Sequence, residues 1–484
     1  MDAEVLERSP PMAFRQSQRQ QQMFLPPSIE EFVATDDPVR AYDAFVDALD
    51  WRSLGIEADP HQAGCPAYPP TIMLKILVYG YSYGIRSSRK LERALGHNLS
   101  FIWLAGGLKP DFKTIARFRR RNRKALQQVL RDCARLCLKL DVIAGNTLFV
   151  DGSKFRANAG NNQSWTAEQC EEHLRQIDQR IEEILHECER VDTQEAQEPS
   201  LVHLQEELAQ QRGRQERIAT ALQQLQQEDL ARVNITDPDC ARMRGRQGSH
   251  AGYNSQIVVD EQHGLIVQAD VVGDQNDRQQ FAPQIAAAAE TIGKTPDVAG
   301  ADNGYYSGKE LEEMTTVATQ VLVPAREPAA PGERFAKGHF TYVAQEDVYI
   351  CPAGQRLAYR RTCDDRHWRE YQLDGRTCCA CEHYQQCTRG RNGRKIVRYF
   401  NEDLRDRLRQ QFALPASRQV YPRRKQTAEL PFGHIKRNLG AGQFLLRGLS
   451  GVRAEMSLPA SCFNMARLIG LFGVMGLMAK LSAL

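Results

Sequence analysis

Apolar residues at helical spacing dominate the first part of the chain. Pro69-Pro70 open a strongly periodic segment, and a long apolar stripe runs through residues 111–140. The spacing predicts an all-α unit over residues 28–142. Residues 1–27 are rich in Gln and flanked by Pro, so we expect them to be flexible.

Strand patterns replace the helical spacing from residue 146 onward. A short buried strand is predicted over 147–150, ending in Asp151. Two further apolar runs, 253–260 and 265–272, flank the turn-like EQHG and predict a β-hairpin. Helix and strand patterns then alternate as far as residue 324. This order is typical of a mixed α/β sheet with helices on its faces.

Two segments interrupt the α/β pattern. Residues 166–230 are rich in Gln and Glu and carry two stretches of apolar residues at helical spacing, separated by Pro199-Ser200. They predict a helical hairpin or coiled-coil arm, whose seam packs on itself or on another subunit. Residues 326–400 are polar and rich in cysteine. Helical patterns follow, and one of them contains Pro431, which should kink or divide that helix.

The α/β unit is therefore predicted to be discontinuous. In chain order we expect 143–165, the hairpin insertion 166–230, then 231–325, the Cys-rich insertion 326–400, 401–465 and a terminal apolar helix 466–484. The last apolar run spans about 12 residues between charges, fewer than the roughly 20 that cross a bilayer, so a buried helix without a membrane is expected. The N-terminus lacks a basic start followed by an apolar core, so a cytoplasmic protein is expected.

Composition and charge narrow the function. The 484 residues are 42% hydrophobic and 25% charged, which excludes a fully disordered or fibrous chain. The net charge of +3 hides two basic blocks around an acidic one: residues 75–140 hold 16 Lys or Arg against 3 Asp or Glu, 388–447 hold 15 against 4, and 166–230 hold 6 against 16. This pattern favours a nucleic-acid-binding protein, with solvated helix faces as the alternative.

Three acidic residues are candidates for a metal site. Asp151 and Asp302 each follow a short apolar strand and precede a Gly-containing turn, so both should project into the crevice beyond the sheet. Carboxylates placed in this way can share Mg²⁺, which takes oxygen ligands. Glu429 stands among basic residues of a late helix, where a metal ligand beside a phosphate chain would be expected. Each acid alone is commonly a surface or capping residue; together they favour a shared site.

Six of the thirteen cysteines lie within residues 351–387, in a chain for which no secretion signal is expected, so a disulfide framework is not predicted. Cys351, Cys378, Cys381 and Cys387 include one C-x2-C pair and could form a closed tetrahedral zinc site. A short segment with few apolar residues needs such a staple to hold its shape. Reduced, unliganded thiols are the alternative.

Three sequence blocks resemble the catalytic blocks of bacterial insertion-sequence transposases of the DDE superfamily. They are VDGSKF, GADNGYYS and RRKQTAELPFGHIKRNL. The segments YPPTIMLKILVYGYSYGIRSSRKLE and TDPDCARMRGRQGSHAGYNSQIVVD are also similar to parts of these proteins. The resemblance covers most of residues 24–465. It implies an RNase H-like catalytic core in the mixed α/β unit and a DNA-binding domain in the helical unit 28–142.

The same resemblance implies a chemistry. Asp151, Asp302 and Glu429 would be the catalytic triad and would hold two Mg²⁺ or Mn²⁺ ions, with Asp151 bridging them. The reaction would be metal-dependent cleavage and joining of DNA strands, with water and then a 3′-hydroxyl as nucleophiles. The implied partners are double-stranded DNA, as terminal inverted repeats and target, and a second copy of the chain in a synaptic homodimer.

Basic residues near Glu429 are predicted to contact DNA. Lys436 keeps the spacing of the family's lysine, although a generic exposed lysine would fit equally. Lys425 occupies the position of the family's arginine, with Arg424 adjacent, so a bidentate contact to phosphate cannot be assigned to Lys425. The candidates in the helical unit are Arg119, Arg120 and Arg121.

Two other functions fit the same residues. A nuclease of the same fold would cut DNA without strand transfer, and a non-enzymatic, zinc-containing DNA-binding protein would use the three acids only structurally. Strand-transfer products separate a transposase from the nuclease. Magnesium-dependent cutting separates both enzymes from the binding protein.

Overall fold

A computed structural model describes residues 28–56, 67–193, 200–245, 248–314, 319–324, 335–364 and 367–484. The segment 1–27, for which the sequence predicts flexibility, lies outside the described residues. The described chain is a mixed α/β protein with helices, a main sheet, a second antiparallel sheet and a short two-stranded ribbon. The predicted fold class is correct at this level.

The elements are numbered along the chain. The helices are α1 (Pro38–Asp47), α2 (Trp51–Leu54), α3 (Pro70–Ser82), α4 (Ser88–His97), α5 (Leu99–Leu104), α6 (Phe112–Arg121), α7 (Arg123–Lys139), α8 (Ala167–Thr193), α9 (Ser200–Gln227), α10 (Phe281–Ile292), α11 (Gly308–Met314), α12 (Gly375–Cys379), α13 (Tyr384–Cys387), α14 (Glu402–Ala413), α15 (Pro415–Val420), α16 (Arg423–Arg437) and α17 (Leu449–Ser482). The strands are β1 (Thr147–Arg156), β2 (Ser164–Trp165), β3 (Val233–Asn234), β4 (Ala241–Gly245), β5 (Gly248–Asp260), β6 (Ile266–Val272), β7 (Val298–Gly300), β8 (Gln320–Leu322), β9 (Thr341–Val343), β10 (Val348–Ile350), β11 (Arg356–Cys363), β12 (Trp368–Gln372) and β13 (Lys395–Tyr399).

Short polar residues start several of the N-terminal helices. The Asp37 carboxylate accepts a hydrogen bond from the Val39 N–H at the start of α1, and Asp111 accepts one from Thr114 at the start of α6. Such side chains satisfy backbone donors that the first turn leaves without partners. Helix α3 lies at the centre of this unit, since its residues 73–81 are all buried.

The main sheet is organised around β1. β1 pairs antiparallel with β5 on one side and parallel with β7 on the other, and β7 continues parallel to β8. β6 pairs with the C-terminal half of β5, and β4 pairs with its N-terminal half. β1 extends to Arg156, well beyond the predicted end at residue 150, so Asp151 lies within a strand. The prediction that Asp151 ends its strand is wrong, because β5 continues to pair with this part of β1.

Helices α10 and α16 both contact β1 and β5. The sequence predicts that Pro431 kinks or divides its helix; α16 runs through Pro431 as one helix, so it is not divided there. Its buried residues Ala428, Phe432 and Ile435 recur at helical spacing and turn one face toward the sheet, where the Phe432 ring lies 5.9 Å from that of Phe155. The opposite face of α16 is exposed.

The long helix α17 includes the predicted terminal helix as its last part. Its first half is buried against α7, α3 and β6, whereas Gly473, in left-handed backbone geometry, interrupts its second half. Among the described helices, α17 is the one long and apolar enough to cross a membrane by length and composition, and 33% of its most apolar stretch is buried in the protein. Core helices of soluble proteins pass the same test.

The two interruptions form separate structures. α8 and α9 pack on each other through a small apolar cluster that includes Ile177 and Ile218, and Arg180 pairs with Glu207 across the seam at 3.0 Å. The seam therefore packs within the chain. The cysteine-rich segment forms the antiparallel sheet β9–β13, whose compact core consists of Phe340, Tyr349, Leu357, Tyr371 and Ile396.

Candidate active site and cysteine cluster

Asp151 and Asp302 occupy equivalent positions on neighbouring parallel strands. In the register of β1 and β7, Phe149 pairs with Gly300. Each aspartate therefore lies two residues beyond the last position at which its strand pairs with the other. Parallel strands keep their register along the sheet, so both carboxylates come to the level of the sheet at which β7 ends. Both side chains are half-buried.

Glu429 is carried to this end of the sheet by α16. Ala428 and Phe432 bury one face of the helix, which leaves Glu429 on the exposed face, in an open groove of about 460 Å³. Lys425 and Arg437 line the same groove. A carboxylate between two cations, open to solvent, is accessible to a phosphate chain and to ions that accompany it.

The electrostatics of Asp151 connect the three acids. The pKa of Asp151 is raised to about 7, chiefly by burial, and the negative charges of Asp302 and Glu429 contribute to this rise. The Arg424 guanidinium and the Gly152 N–H oppose this rise. Since the field of a carboxylate is appreciable only over a short range, Asp151 and its two candidate partners share one neighbourhood.

The carboxylates of Asp151, Asp302 and Glu429 suit a hard divalent cation, but in this structure they do not surround one point. Within the described part of the chain, no group of three or more His, Cys, Asp or Glu side chains is arranged closely enough to hold a metal ion. Carboxylate oxygens are nevertheless the ligands that Mg²⁺ prefers, and a cation would relieve the repulsion that raises the pKa of Asp151. The residues thus fit Mg²⁺ by chemistry.

Lys436 is directed at β1. Its ammonium donates hydrogen bonds to the Ser153 hydroxyl and, at 2.9 Å, to the Lys154 carbonyl, and it lies 4.5 Å from the centre of the Phe155 ring. Burial lowers the pKa of Lys436, and the Asp151 charge counteracts this effect. Lys436 is therefore held beside the candidate triad and is not a freely exposed lysine.

The adjacent cations Arg424 and Lys425 occupy different surroundings. Arg424 lies 5.8 Å from the Tyr421 ring, and its charge acts on Asp151. The Tyr421 hydroxyl in turn donates to the Ala301 carbonyl at 3.3 Å, next to Asp302. Lys425 is exposed and lines the groove of Glu429. Arg424 is thus the cation directed at the acids, although Lys425 has the sequence position of the family's arginine.

A buried polar network, which the sequence reasoning missed, lies under Asp151. Asp277 accepts hydrogen bonds from Gln256 at 2.8 Å and Asn254 at 2.7 Å, and Gln256 accepts one from the Tyr305 hydroxyl. A Cβ added to Gly152 would lie within 3 Å of Asp277, Gln256 and Tyr305. The available signal was the polar triplet Asn-Ser-Gln directly before the apolar run 257–259.

The three candidate arginines at the end of α6 occupy different surroundings. Arg119 is 6% exposed and donates hydrogen bonds to the Arg86 carbonyl at 2.9 Å and to the hydroxyls of Ser88 and Tyr81. Its guanidinium joins α6 to the chain between α3 and α4, so the structure does not support Arg119 as a DNA contact. Arg120 and Arg121 are exposed.

Four cysteines face one small cavity of about 30 Å³, which Cys351, Cys378, Cys381 and Cys387 line together. The Cys378 sulfur accepts a hydrogen bond from the Arg394 N–H, and Cys351 accepts one from the Gln355 N–H, both at 3.3 Å. Burial raises the pKa of the Cys378 and Cys387 thiols, so without a cation they are kept protonated. The cysteines that the structure describes are free thiols.

Comparison with protein families gives two matches. Residues 27–121 match a family described as "Transposase domain (DUF772)", and residues 350–469 match one described as "Transposase DDE domain". Glu429, Lys436 and the four clustered cysteines lie in the second range, whereas Asp151 and Asp302 lie outside both. No curated protein and no solved structure matches the chain.

Proposed function

We propose that the chain is a DNA transposase of the insertion-sequence DDE type, in which Asp151, Asp302 and Glu429 form the catalytic triad; the two transposase-family matches support this proposal. The proposed reaction is metal-dependent cleavage of DNA at the ends of the element, followed by strand transfer. One observation carries the proposal: Asp151 and Asp302 follow the paired register of adjacent parallel strands at the same interval, and Glu429 acts on Asp151 from α16.

We further propose that the main sheet is an RNase H-like core. The order β6–β5–β1–β7–β8, in which β5 alone runs against the other four described strands of this series, supports it. An antiparallel meander continued by parallel strands brings the end of β7 beside the middle of β1, and α16 adds the third acid from a helix packed on β1.

Each residue of the site has a proposed task. Two divalent cations, when bound, would activate the attacking oxygen and stabilise the leaving oxygen. Asp151, Asp302 and Glu429 would hold them as carboxylate ligands. Asp151 must lose its proton first, and Arg424 favours this loss because its positive charge lowers the pKa of Asp151.

Lys436 and Arg424 would meet the DNA backbone at the reacting phosphate. Lys436 is fixed by its bonds to Ser153 and Lys154, so its charge is oriented before substrate arrives. A preorganised charge stabilises a developing negative charge more than a mobile one does, because it needs no reorganisation during the reaction. Exposed Lys425, Arg120 and Arg121 would bind phosphates farther from the reaction and would contribute mainly to affinity.

The cysteine cluster is proposed to hold a structural zinc ion. Cys351, Cys378, Cys381 and Cys387 line one cavity, and two backbone N–H groups already donate to two of the sulfurs. Such donors favour thiolates, which are the form that binds zinc. All four ligands would come from the protein, so the ion would hold the fold of this segment and take no part in the reaction.

The proposed setting is the bacterial cytoplasm, at the nucleoid, with two copies of the chain bringing two element ends together. The decisive experiment incubates the purified protein with DNA that carries the flanking inverted repeats and Mg²⁺, and maps the products at nucleotide resolution. Cuts at the element ends and joined target strands are expected. Cuts without joined strands would indicate a nuclease, and bound DNA that stays intact would indicate a binding protein.

A further inference from the structure

The cysteine-rich segment carries an open cleft that the proposed reaction does not use. The cleft has a volume of about 750 Å³ and lies between β11, the end of β12 and the loop that precedes β13. Arg360, Arg376 and Arg391 line it together with Tyr359, whose side chain is 48% exposed. Three guanidinium groups around one cleft form a strongly positive surface.

The positive charge of this cleft is not cancelled by its acidic neighbours. Residues 351–400 hold 11 Lys or Arg against 5 Asp or Glu. Asp374 lines the cleft, but its carboxylate caps α12 by accepting hydrogen bonds from the N–H groups of Arg376 and Thr377. Glu370 is buried and shared by several basic residues, among them Arg360 at 3.4 Å. Arg376 and Arg391 are exposed.

The walls of the cleft are tightly built. A Cβ on Gly375 would lie 2.1 Å from the Arg391 carbonyl oxygen, and a Cβ on Gly393 would lie 2.1 Å from that of Leu373. Only glycine permits these two backbone segments to approach so closely, and Gly393 also has a positive φ of 82°. The contact fixes the backbone from which Arg376 and Arg391 project, so their spacing is set by the fold.

We infer that this cleft is a second DNA-binding surface, which holds the phosphate backbone of duplex DNA away from the catalytic triad. Guanidinium groups bind phosphate oxygens in a bidentate manner, and their exposure lets a duplex reach them. Tyr359 adds a hydroxyl that can donate to phosphate. The inference rests on the proposed function, since it takes DNA as the substrate, but it assigns a surface outside the triad and does not depend on zinc.

The test compares two double variants in the full-length protein. R376A/R391A removes two charges from the cleft, and the control R214A/R217A removes two exposed charges from α9. Binding to a labelled duplex that carries the inverted repeat is measured over a range of salt concentrations. R376A/R391A should weaken binding roughly ten- to thirtyfold and lower the salt slope by about 2, because each lost phosphate contact releases one counterion fewer. The control should stay within about threefold of the unmodified protein, and the charge-retaining R376K/R391K should keep the salt slope of the unmodified protein.

Three outcomes are distinguishable. A lower slope in R376A/R391A, with the cutting rate at saturating DNA unchanged, supports the inference. An unchanged slope in this variant, while the unmodified protein binds and cuts DNA, overturns the inference and leaves the proposed function intact. If the unmodified protein fails to bind duplex DNA, the inference and the proposed function both fall. Circular dichroism checks that the exposed substitutions leave the fold unchanged.

Discussion

The acidic pocket, formed by Asp151, Asp302 and Glu429, and the cysteine cluster are both candidate metal sites. They differ in how far apart along the chain their residues lie. Asp151, Asp302 and Glu429 come from β1, the turn after β7 and α16, which are separated by most of the chain. The four cysteines come from one short segment and line one small cavity. The pocket is assembled by the core of the protein, whereas the cluster is assembled by a local fold.

This difference predicts different roles for the two sites. The main sheet and α16 have a large apolar core, so the acids can be held in an arrangement that raises the pKa of Asp151. The cysteine-rich sheet has a core of few residues, and a small core supplies little stabilisation. Removing an acid should therefore impair chemistry and spare the fold, while removing cysteines should impair the fold of the segment.

The largest effect is expected for Asp151→Asn. Asparagine keeps the shape but lacks the charge, so cleavage should fall at least about a thousandfold while DNA affinity stays unchanged. Rates at saturating DNA with Mg²⁺, and binding without it, measure the two separately. Asp364→Asn, at an exposed acid of the cysteine-rich segment, is the matched control. Undiminished cleavage by Asp151→Asn would contradict the triad.

A large structural effect is expected for Cys378→Ser combined with Cys381→Ser. Zinc measured by metal analysis should drop from about one ion per chain to almost none, since four-coordinate structural sites need all their ligands. The cysteine-rich segment should also become sensitive to proteolysis. Cys379→Ser, at the exposed neighbour, should retain both zinc and resistance. Purified protein without zinc would argue for unliganded thiols.

An intermediate effect distinguishes Lys436 from Lys425. Lys436→Met should lower the cleavage rate roughly ten- to a hundredfold with little change in DNA affinity, because the charge beside Asp151 acts mainly in the transition state. Lys425→Met should instead weaken binding about threefold and lower the salt slope by about 1. If both variants behaved alike, the distinction between an oriented and an exposed lysine would be lost.

The smallest effect concerns pH. The pKa of Asp151 is raised to about 7, so the native state retains a proton that the unfolded chain has lost. The protein therefore loses stability as pH rises from about 4 through 7, by a few kcal/mol at most. Asp151→Asn lacks this loss and should be the more stable protein at pH 8. The free energy of unfolding of both proteins is measured with denaturant at pH 5 and 8, with a chelator present. If it changed equally with pH in the two proteins, this would argue against a buried Asp151.

Part of the fold follows from the sequence because its causes are local. The β-hairpin around EQHG and the two helices of the insertion lie close to where the hydrophobic spacing predicted them. The extent of β1 could not be read in the same way. Its second half contains Gly152, Ser153 and Lys154, which have no strand pattern of their own, and it is extended because β5 pairs along its whole length.

The candidate site, like the fold, follows only in part from the sequence. The sequence motifs single out Asp151, Asp302 and Glu429, but the neighbourhood that they share depends on sheet register and helix packing. Arg119, Arg120 and Arg121 are equivalent in sequence. Only Arg119 is buried, because the helix turns this residue toward the core and the other two toward solvent. The Asp277 network has no motif at all, since its members become partners only across strands.

The sequence by itself determined the kinds of side chain present, the periodicity of most elements and the transposase motifs, because these depend on neighbours along the chain. Tertiary structure alone decided that the charge of Arg424 acts on Asp151, that Lys436 binds β1, and that three arginines line a cleft in the cysteine-rich sheet. The physical reason is that burial, electric field and shape are properties of groups brought together in space, and packing sets them across distances that no local pattern encodes.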